Sequence, residues 1–163
     1  MARKVGPAIF PGSFDPLTNG HVDVVQRTLN IFDRVIIALL SNAQKSSLFT
    51  LEERINLLRE EFKSYGERVE VKSFSGLLVD FARHEGSRVV IRGLRAITDY
   101  DYETQMALMN KHLYDDLETL FLVAQESNSY VSSTLVKQVA SLGGDVSKIV
   151  PERVLAALKR KFS

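Results

Sequence analysis

The chain has 163 residues, with 21 lysines and arginines against 20 aspartates and glutamates, so its formal net charge is +1. The length is typical of one domain, residues 1–163, and 45% hydrophobic with 25% charged residues describes a globular protein with a sizeable core. The near-zero charge gives no broad basic face for duplex DNA, so we expect no nucleic-acid partner. The absence of cysteine excludes disulfides and a thiol nucleophile. No apolar run approaches the roughly 20 residues of a membrane span, which predicts a cytoplasmic protein without membrane contacts.

Short apolar runs alternate with helical patterns along the chain. The runs predict strands at residues 5–10, 34–40, 69–74, 89–91 and 117–124. Pro7 lies in the first of them, where it requires an edge or a distorted position. Helical spacing of Val22, Val25, Leu29 and Phe32 predicts the first helix. Further helices are predicted at residues 51–65, 77–84, 99–113, 133–141 and 152–161.

Two helix starts carry local signals. Thr50 and Glu53 form a capping-box pattern before the second helix, and Pro151 is suited to the first turn of the last one. Strands alternating with helices of this length favour an α/β, Rossmann-like domain, with five parallel strands and helices on both faces. In such sheets ligands bind beyond the carboxyl ends of the strands, so the loops there are the places to search for chemistry.

The loop after the first strand combines several unusual residues. It runs from Pro11 to His21 and contains Gly12, Ser13 and Gly20. Glycines let the backbone approach a ligand closely, and the first free amides of the following helix form an anion site. A single histidine near a helix start is more often a packing residue, and a Pro-Gly-Ser stretch is more often a plain turn. Neither interpretation explains why these residue types converge on one strand-to-helix loop.

Two later loops are also suited to phosphate. The sequence Arg92-Gly93-Leu94-Arg95 follows the fourth predicted strand, where two guanidinium groups can offer forked donors to phosphate oxygens. The hydroxyl-rich run from Ser129 to Thr134 leads into a helix and supplies caps and amides. Solvated arginines and simple capping are the ordinary alternatives. Lys45, in the loop after the second strand, is a weaker signal.

The sequence lacks several common motifs. It contains no Walker pattern, no G-x-G-x-x-G and no His-Glu-x-x-His, which disfavours a P-loop ATPase, an ordinary dinucleotide dehydrogenase and a zinc hydrolase. The remaining set, a histidine, a lysine, two arginines and a hydroxyl-rich helix start at one sheet edge, favours phosphoryl or nucleotidyl transfer.

With these residues in hand, the sequence resembles the bacterial phosphopantetheine adenylyltransferases, nucleotidyltransferases with a (His/Thr)-x-Gly-His signature. The signature here is Thr18-Asn19-Gly20-His21. Four further blocks occur in family order: residues 11–16, 49–54, 92–95 and 132–137. The resemblance covers residues 5–160 and implies transfer of AMP from ATP to 4′-phosphopantetheine. The products would be dephospho-coenzyme A and pyrophosphate, in the penultimate step of coenzyme A synthesis, with Mg²⁺ as cofactor and a homohexamer as the assembly.

The resemblance also implies roles for individual residues. His21 would contact ATP and stabilise the transition state. The residues implied in holding 4′-phosphopantetheine are Ser13, Lys45, Leu78 and Arg92. Those implied in contacting ATP are Ser13, Phe14, His21, Gly93, Leu94, Arg95, Glu103, Asn128, Ser129, Tyr130, Val131, Ser132, Ser133 and Thr134. No metal ligand is implied, because phosphates can hold most of the Mg²⁺ coordination sphere.

Two positions depart from the family pattern. Ser13 stands where threonine is common, which keeps the hydroxyl and loses a methyl group. Asn128 stands where an aromatic residue is common, so a stacking partner for adenine is expected to be missing. Two alternatives stay open: a sister nucleotidyltransferase acting on another phosphorylated acceptor or using CTP, and a catalytically silent nucleotide-binding homologue.

Overall fold

A computed structural model describes residues 6–41, 47–95 and 97–163. The centre is a five-stranded sheet of order β3-β2-β1-β4-β5, in which every pair is parallel. The strands are β1 (Ala8–Gly12), β2 (Val35–Leu40), β3 (Val69–Phe74), β4 (Val89–Leu94) and β5 (Glu118–Val123). The α/β class and the all-parallel sheet are thus confirmed.

Six α-helices accompany this sheet in the described residues. They are α1 (Asn19–Leu29), α2 (Leu51–Glu61), α3 (Leu78–His84), α4 (Ile97–Leu113), α5 (Ser133–Ser141) and α6 (Glu152–Phe162). Short 3₁₀ helices occupy Lys63–Arg68 and Glu126–Asn128. None of the helices within the described ranges is long and apolar enough to cross a membrane.

The core lies on both faces of the sheet, as the sequence predicts. Successive residues of a strand point to opposite faces, and Phe10 accordingly belongs to one buried cluster while Ile9 belongs to the other. The larger cluster includes residues from α1, α2, α5 and α6, such as Val25 and Leu158. The smaller one includes Val79 and Ala82 of α3. Helices therefore cover both faces.

The first strand differs from the prediction at its start. β1 begins at Ala8, so Pro7 precedes the strand and needs neither an edge nor a distortion. β1 is in fact the central strand. It contains Pro11, which the sheet tolerates because the pairing of β1 with β4 is confined to Ala8 and Ile9.

Two further element ends differ from the prediction by three residues or more. The second helix ends at Glu61 instead of residue 65, and a 3₁₀ helix continues to Arg68 through Gly66, whose φ of 57° favours glycine. The fourth strand runs on to Leu94, because Gly93 and Leu94 pair with β5. Arg92 and Gly93 therefore lie inside the strand and not in a loop beyond it.

The strand order places the switch in winding direction between β1 and β4. Ligands in doubly wound sheets bind at this point, outside the carboxyl ends of the two strands. The candidate site is therefore expected where the loop after β1 faces the end of β4.

Candidate active site

Two adjoining cavities open at the switch between β1 and β4. Their volumes are about 400 and about 420 Å³. Both are lined by one shared wall, made of Pro11, Gly12, Ser13, Arg92, Tyr102 and Glu103. Two ligands that bind side by side here would meet at that wall.

The cavities differ in character. The first, called the apolar cavity below, is lined beyond the shared wall largely by nonpolar side chains, among them Leu40, Phe74, Leu78, Val90 and Met106. The second, called the polar cavity, is lined by His21, Arg95, Asn128 and the start of α5. The first is suited to a long, weakly polar ligand, and the second to a charged one.

His21 occupies the first turn of α1, where Thr18 is the N-cap. The backbone N–H of Thr18 donates to Nδ1 of His21 over 3.0 Å, and the Thr18 hydroxyl accepts from the backbone N–H of His21 over 3.4 Å. This reciprocal capping box is built with a histidine instead of the usual glutamate. Because Nδ1 accepts a hydrogen bond, the neutral ring carries its proton on Nε2, which is left as a donor.

The charge state of His21 follows from its surroundings. Burial, together with the positive charges of Arg95 and Arg92, lowers the pKa of His21 to about 4. The imidazole is therefore neutral at pH 7, and it enters the polar cavity as a neutral N–H donor.

The side chain of Phe14 packs against the His21 ring. Its side chain is only 2% exposed, and its ring packs edge-on against the imidazole with 5.0 Å between the ring centroids. The backbone of Phe14 has a φ of +47°, a rare value for a residue other than glycine. A Cβ on Gly12 would lie 2.9 Å from the Phe14 ring, so only glycine fits there. The Phe14 side chain belongs to the core, which leaves only its main chain to meet a nucleotide.

Arg92 and Glu103 form a two-pronged ion pair in the shared wall. Nε and Nη2 of Arg92 donate to the two carboxylate oxygens of Glu103 over 2.7 and 2.5 Å, and Nη1 donates to the carbonyl oxygen of Pro11 over 2.9 Å. Both residues were predicted at the site, but their pairing was not. The fork of Arg92 that was expected to face a phosphate is engaged by Glu103 in this structure.

Two of the three hydroxyl groups at the start of α5 are already hydrogen-bonded to the backbone of the protein. Ser132 is the N-cap and accepts from the backbone N–H of Leu135, while the Ser133 hydroxyl donates to the carbonyl oxygen of Pro16 over 2.8 Å. All of residues 131–134 line the polar cavity. The first-turn amides of an α-helix have no partner within the helix, so this end of α5 is suited to an anion.

The remaining predicted residues divide into three groups. Gly93, Arg95, Asn128 and Val131 line the polar cavity, and Nη1 of Arg95 donates to the carbonyl oxygen of Val131 over 3.2 Å. Leu94, Ser129 and Tyr130 do not line either cavity, and Tyr130 is 63% exposed. Lys45 lies outside the described residues.

The sequence analysis missed a buried ion pair beneath the first loop. The Asp15 carboxylate accepts from the backbone N–H groups of Leu48 and Phe49 and from Nζ of Lys137, over 3.0, 2.9 and 2.8 Å. Burial raises the pKa of Asp15, but these three donors outweigh it and hold the pKa below its ordinary value. Asp15 thus ties the loop after β1 to the start of α2 and to α5. Both Asp15 and Lys137 stand in the quoted blocks, so the signal was present.

The same loop is also held by the segment before α6. The backbone N–H of Asn19 donates to the carbonyl oxygen of Ile149, and its side-chain amide donates to that of Lys148, both over 3.0 Å.

Within the ranges that the structure describes, no three His, Asp or Glu side chains come together as a metal site.

The comparisons with known proteins agree with this geometry. The sequence model of the family described as cytidylyltransferase-like matches residues 9–139. Phosphopantetheine adenylyltransferase of Alkaliphilus metalliredigens is 51% identical over 97% of this chain and 99% of its own length. The enzyme of that name from Heliobacterium modesticaldum is 50% identical over 95% and 92%, and that from Anaeromyxobacter sp. (strain K) 52% over 95% and 94%. The chain therefore belongs to the cytidylyltransferase-like family and, within it, to the phosphopantetheine adenylyltransferases.

Proposed function

We propose that the protein transfers the adenylyl group of ATP to 4′-phosphopantetheine, giving dephospho-coenzyme A and pyrophosphate. One observation carries the match to this chemistry: an apolar and a polar cavity share a wall at the sheet's switch point. The pantetheine arm suits the apolar cavity, and the triphosphate suits the polar one. The acceptor phosphate and the α-phosphate of ATP would then meet beside Ser13.

The reaction needs little proton chemistry. An oxygen of the acceptor phosphate, already ionised at neutral pH, attacks the α-phosphorus of ATP. A new P–O bond forms, the bond between the α-phosphorus and its bridging oxygen breaks, and pyrophosphate leaves with the electron pair. Catalysis then consists of aligning the two phosphates and stabilising the charge that moves towards pyrophosphate.

We assign the stabilisation of that charge to His21. Its Nε2–H is left as a donor by the Thr18 contact, and the ring is held by Phe14, so the donor is preorganised before ATP arrives. Preorganised donors act on the transition state without the cost of reorienting during the reaction. The neutral ring keeps its Nε2 proton at neutral pH, so this donor is present throughout the reaction.

ATP would reach the site as its magnesium complex. Mg²⁺ commonly keeps several waters and binds substrate phosphates with one or two carboxylates, and Glu103 is the carboxylate in the shared wall. Magnesium dependence, ATP binding and a cytoplasmic location are parts of this proposal.

The proposal includes a homohexamer, and an exposed apolar surface on α4 and β5 supports self-association. The side chains of Met106, Leu108, Met109 and Leu120 are 40–66% exposed. Burial of such side chains against a second copy of the chain would remove apolar surface from water and so favour association. Sedimentation of the purified protein across a concentration series tests the assembly, and a monomer at every concentration would contradict it.

Mass spectrometry tests the proposed reaction directly. The protein is incubated with 4′-phosphopantetheine, ATP and Mg²⁺, and dephospho-coenzyme A and pyrophosphate are measured together. Parallel reactions with nicotinamide mononucleotide, or with CTP in place of ATP, test the sister activities. Product only in a parallel reaction would replace the proposed substrate, and ATP binding without pyrophosphate release in any of them would indicate a silent homologue.

A further inference from the structure

Arg54 is a buried cation to which the proposed mechanism assigns no role. It lies on α2 and is 7% exposed. Its Nε donates to the carbonyl oxygen of Thr50 over 3.3 Å, and its Nη1 donates to that of Ser13 over 2.8 Å. Within the described part of the chain no carboxylate lies close enough to Arg54 to form an ion pair.

The neighbouring cations show the usual arrangement. Arg92 is paired with Glu103, and Lys137 is paired with Asp15. Burying a charge without an opposite charge is unfavourable, because carbonyl dipoles replace only part of the lost hydration. Within the described residues Arg54 has no such carboxylate, which implies that an anion offsets its charge when the site is filled.

The place of Arg54 defines which anion it would meet. Arg54 lines the apolar cavity, and its contact with Ser13 fixes the guanidinium against the shared wall. A guanidinium group carries five N–H donors, and two of them account for the contacts with Ser13 and Thr50. The phosphate of an acceptor in this cavity must lie at the same wall in order to attack ATP.

We infer that Arg54 is an anion-recognition residue of the apolar cavity, which selects acceptors that carry a phosphate group. The inference rests on the proposed function, since it assigns the phosphate to the acceptor. A residue that only braces the Ser13 carbonyl would support every ligand of the cavity alike. A residue that recognises phosphate acts on phosphorylated ligands alone, and this difference separates the two roles.

Calorimetric titration with two ligands tests whether Arg54 recognises the phosphate group. Wild-type protein, Arg54→Gln and Arg54→Lys are each titrated with 4′-phosphopantetheine and with pantetheine, which lacks the phosphate. In Arg54→Gln we expect affinity for 4′-phosphopantetheine to fall about 10- to 100-fold, as for one lost charge-assisted hydrogen bond, while affinity for pantetheine and for ATP stays within about 2-fold. Arg54→Lys keeps the charge and should keep most of the preference for the phosphorylated ligand.

Arg59→Gln is the matched control, since Arg59 is exposed on the same helix. It should change neither affinity. Should Arg54→Gln not fold, Arg54→Met keeps the aliphatic stem in place and supplies the same comparison. Equal weakening of both ligands, or an unchanged preference in the neutral variant, would overturn the inference. A wild-type protein that does not prefer 4′-phosphopantetheine would instead overturn the proposed function.

Discussion

The low pKa of His21 makes the stability of the fold depend on pH. In the folded protein the ring titrates at about 4, against about 6.5 in an unfolded chain. Between these values the unfolded chain binds a proton that the folded protein does not. Stability from this group is therefore fully present above pH 6.5 and is lost as the pH falls towards 4. The structural reason is that burial and the positive charges of Arg95 and Arg92 disfavour the protonated ring, whose Nδ1 also could not accept the backbone N–H of Thr18.

The size of the effect follows from the two pKa values. Linkage gives a loss of about 2 kcal/mol in the free energy of unfolding between pH 7 and pH 5 from His21 alone. Asp15 and Glu85, whose pKa values are lowered, also lose stability in acid. The comparison must therefore be made against a variant that shares every group except the imidazole.

His21→Asn is that variant, because the asparagine oxygen can replace Nδ1 as the acceptor of the Thr18 N–H. Urea unfolding at pH 7 and pH 5, at one protein concentration, gives the free energy for each protein. We expect the wild type to lose about 2 kcal/mol more than the variant over this range. The exposed His112 provides a control, and His112→Asn should keep the wild-type pH dependence. A His21→Asn variant with the same pH dependence as the wild type would refute the assignment of a depressed pKa.

Three further predictions concern activity and binding. His21→Ala should lower kcat by ~10²–10³ with little change in KM for ATP, in a pyrophosphate-release assay, since alanine carries no donor and the lost Nε2–H acts in the transition state; an unchanged kcat would return His21 to a capping role. Arg92→Ala should weaken 4′-phosphopantetheine more than ATP in calorimetry, by about 1.5–3 kcal/mol, and equal losses would indicate that its pairing with Glu103 is purely structural. Asn128→Trp should tighten ATP by roughly 1–3 kcal/mol if adenine lies against this position, and an unchanged affinity would place the base elsewhere.

The sequence predicted the architecture well because its signals were local. Strand β3 has the predicted ends, and the capping box of Thr50 and Glu53 begins α2 at the predicted residue. The end of α2 was missed although Gly66 is a local signal for it, whereas the end of β4 depends on the pairing of Gly93 with β5, which is distant in sequence.

Within the site, the sequence identified residue types but not their partners. The pairing of Arg92 with Glu103 links residues on β4 and α4, and no spacing rule predicts which carboxylate an arginine will meet. Likewise Phe14 was assigned to the nucleotide because the family resemblance implies that contact. Its backbone conformation turns the ring inwards against His21, a detail that only coordinates provide.

The loop between β1 and α1 is synthesised early, yet several of the groups that hold it are synthesised late. Its fixed points include Ser133, Lys137 and Ile149, all beyond the last strand. A nascent chain that has just released β5 from the ribosome contains every strand and the anchors of this loop at Leu48 and Phe49, but it lacks the later anchors on α5 and before α6. The larger buried cluster also includes residues of α5 and α6, so the core and the site are both completed only when the C-terminal helices are synthesised.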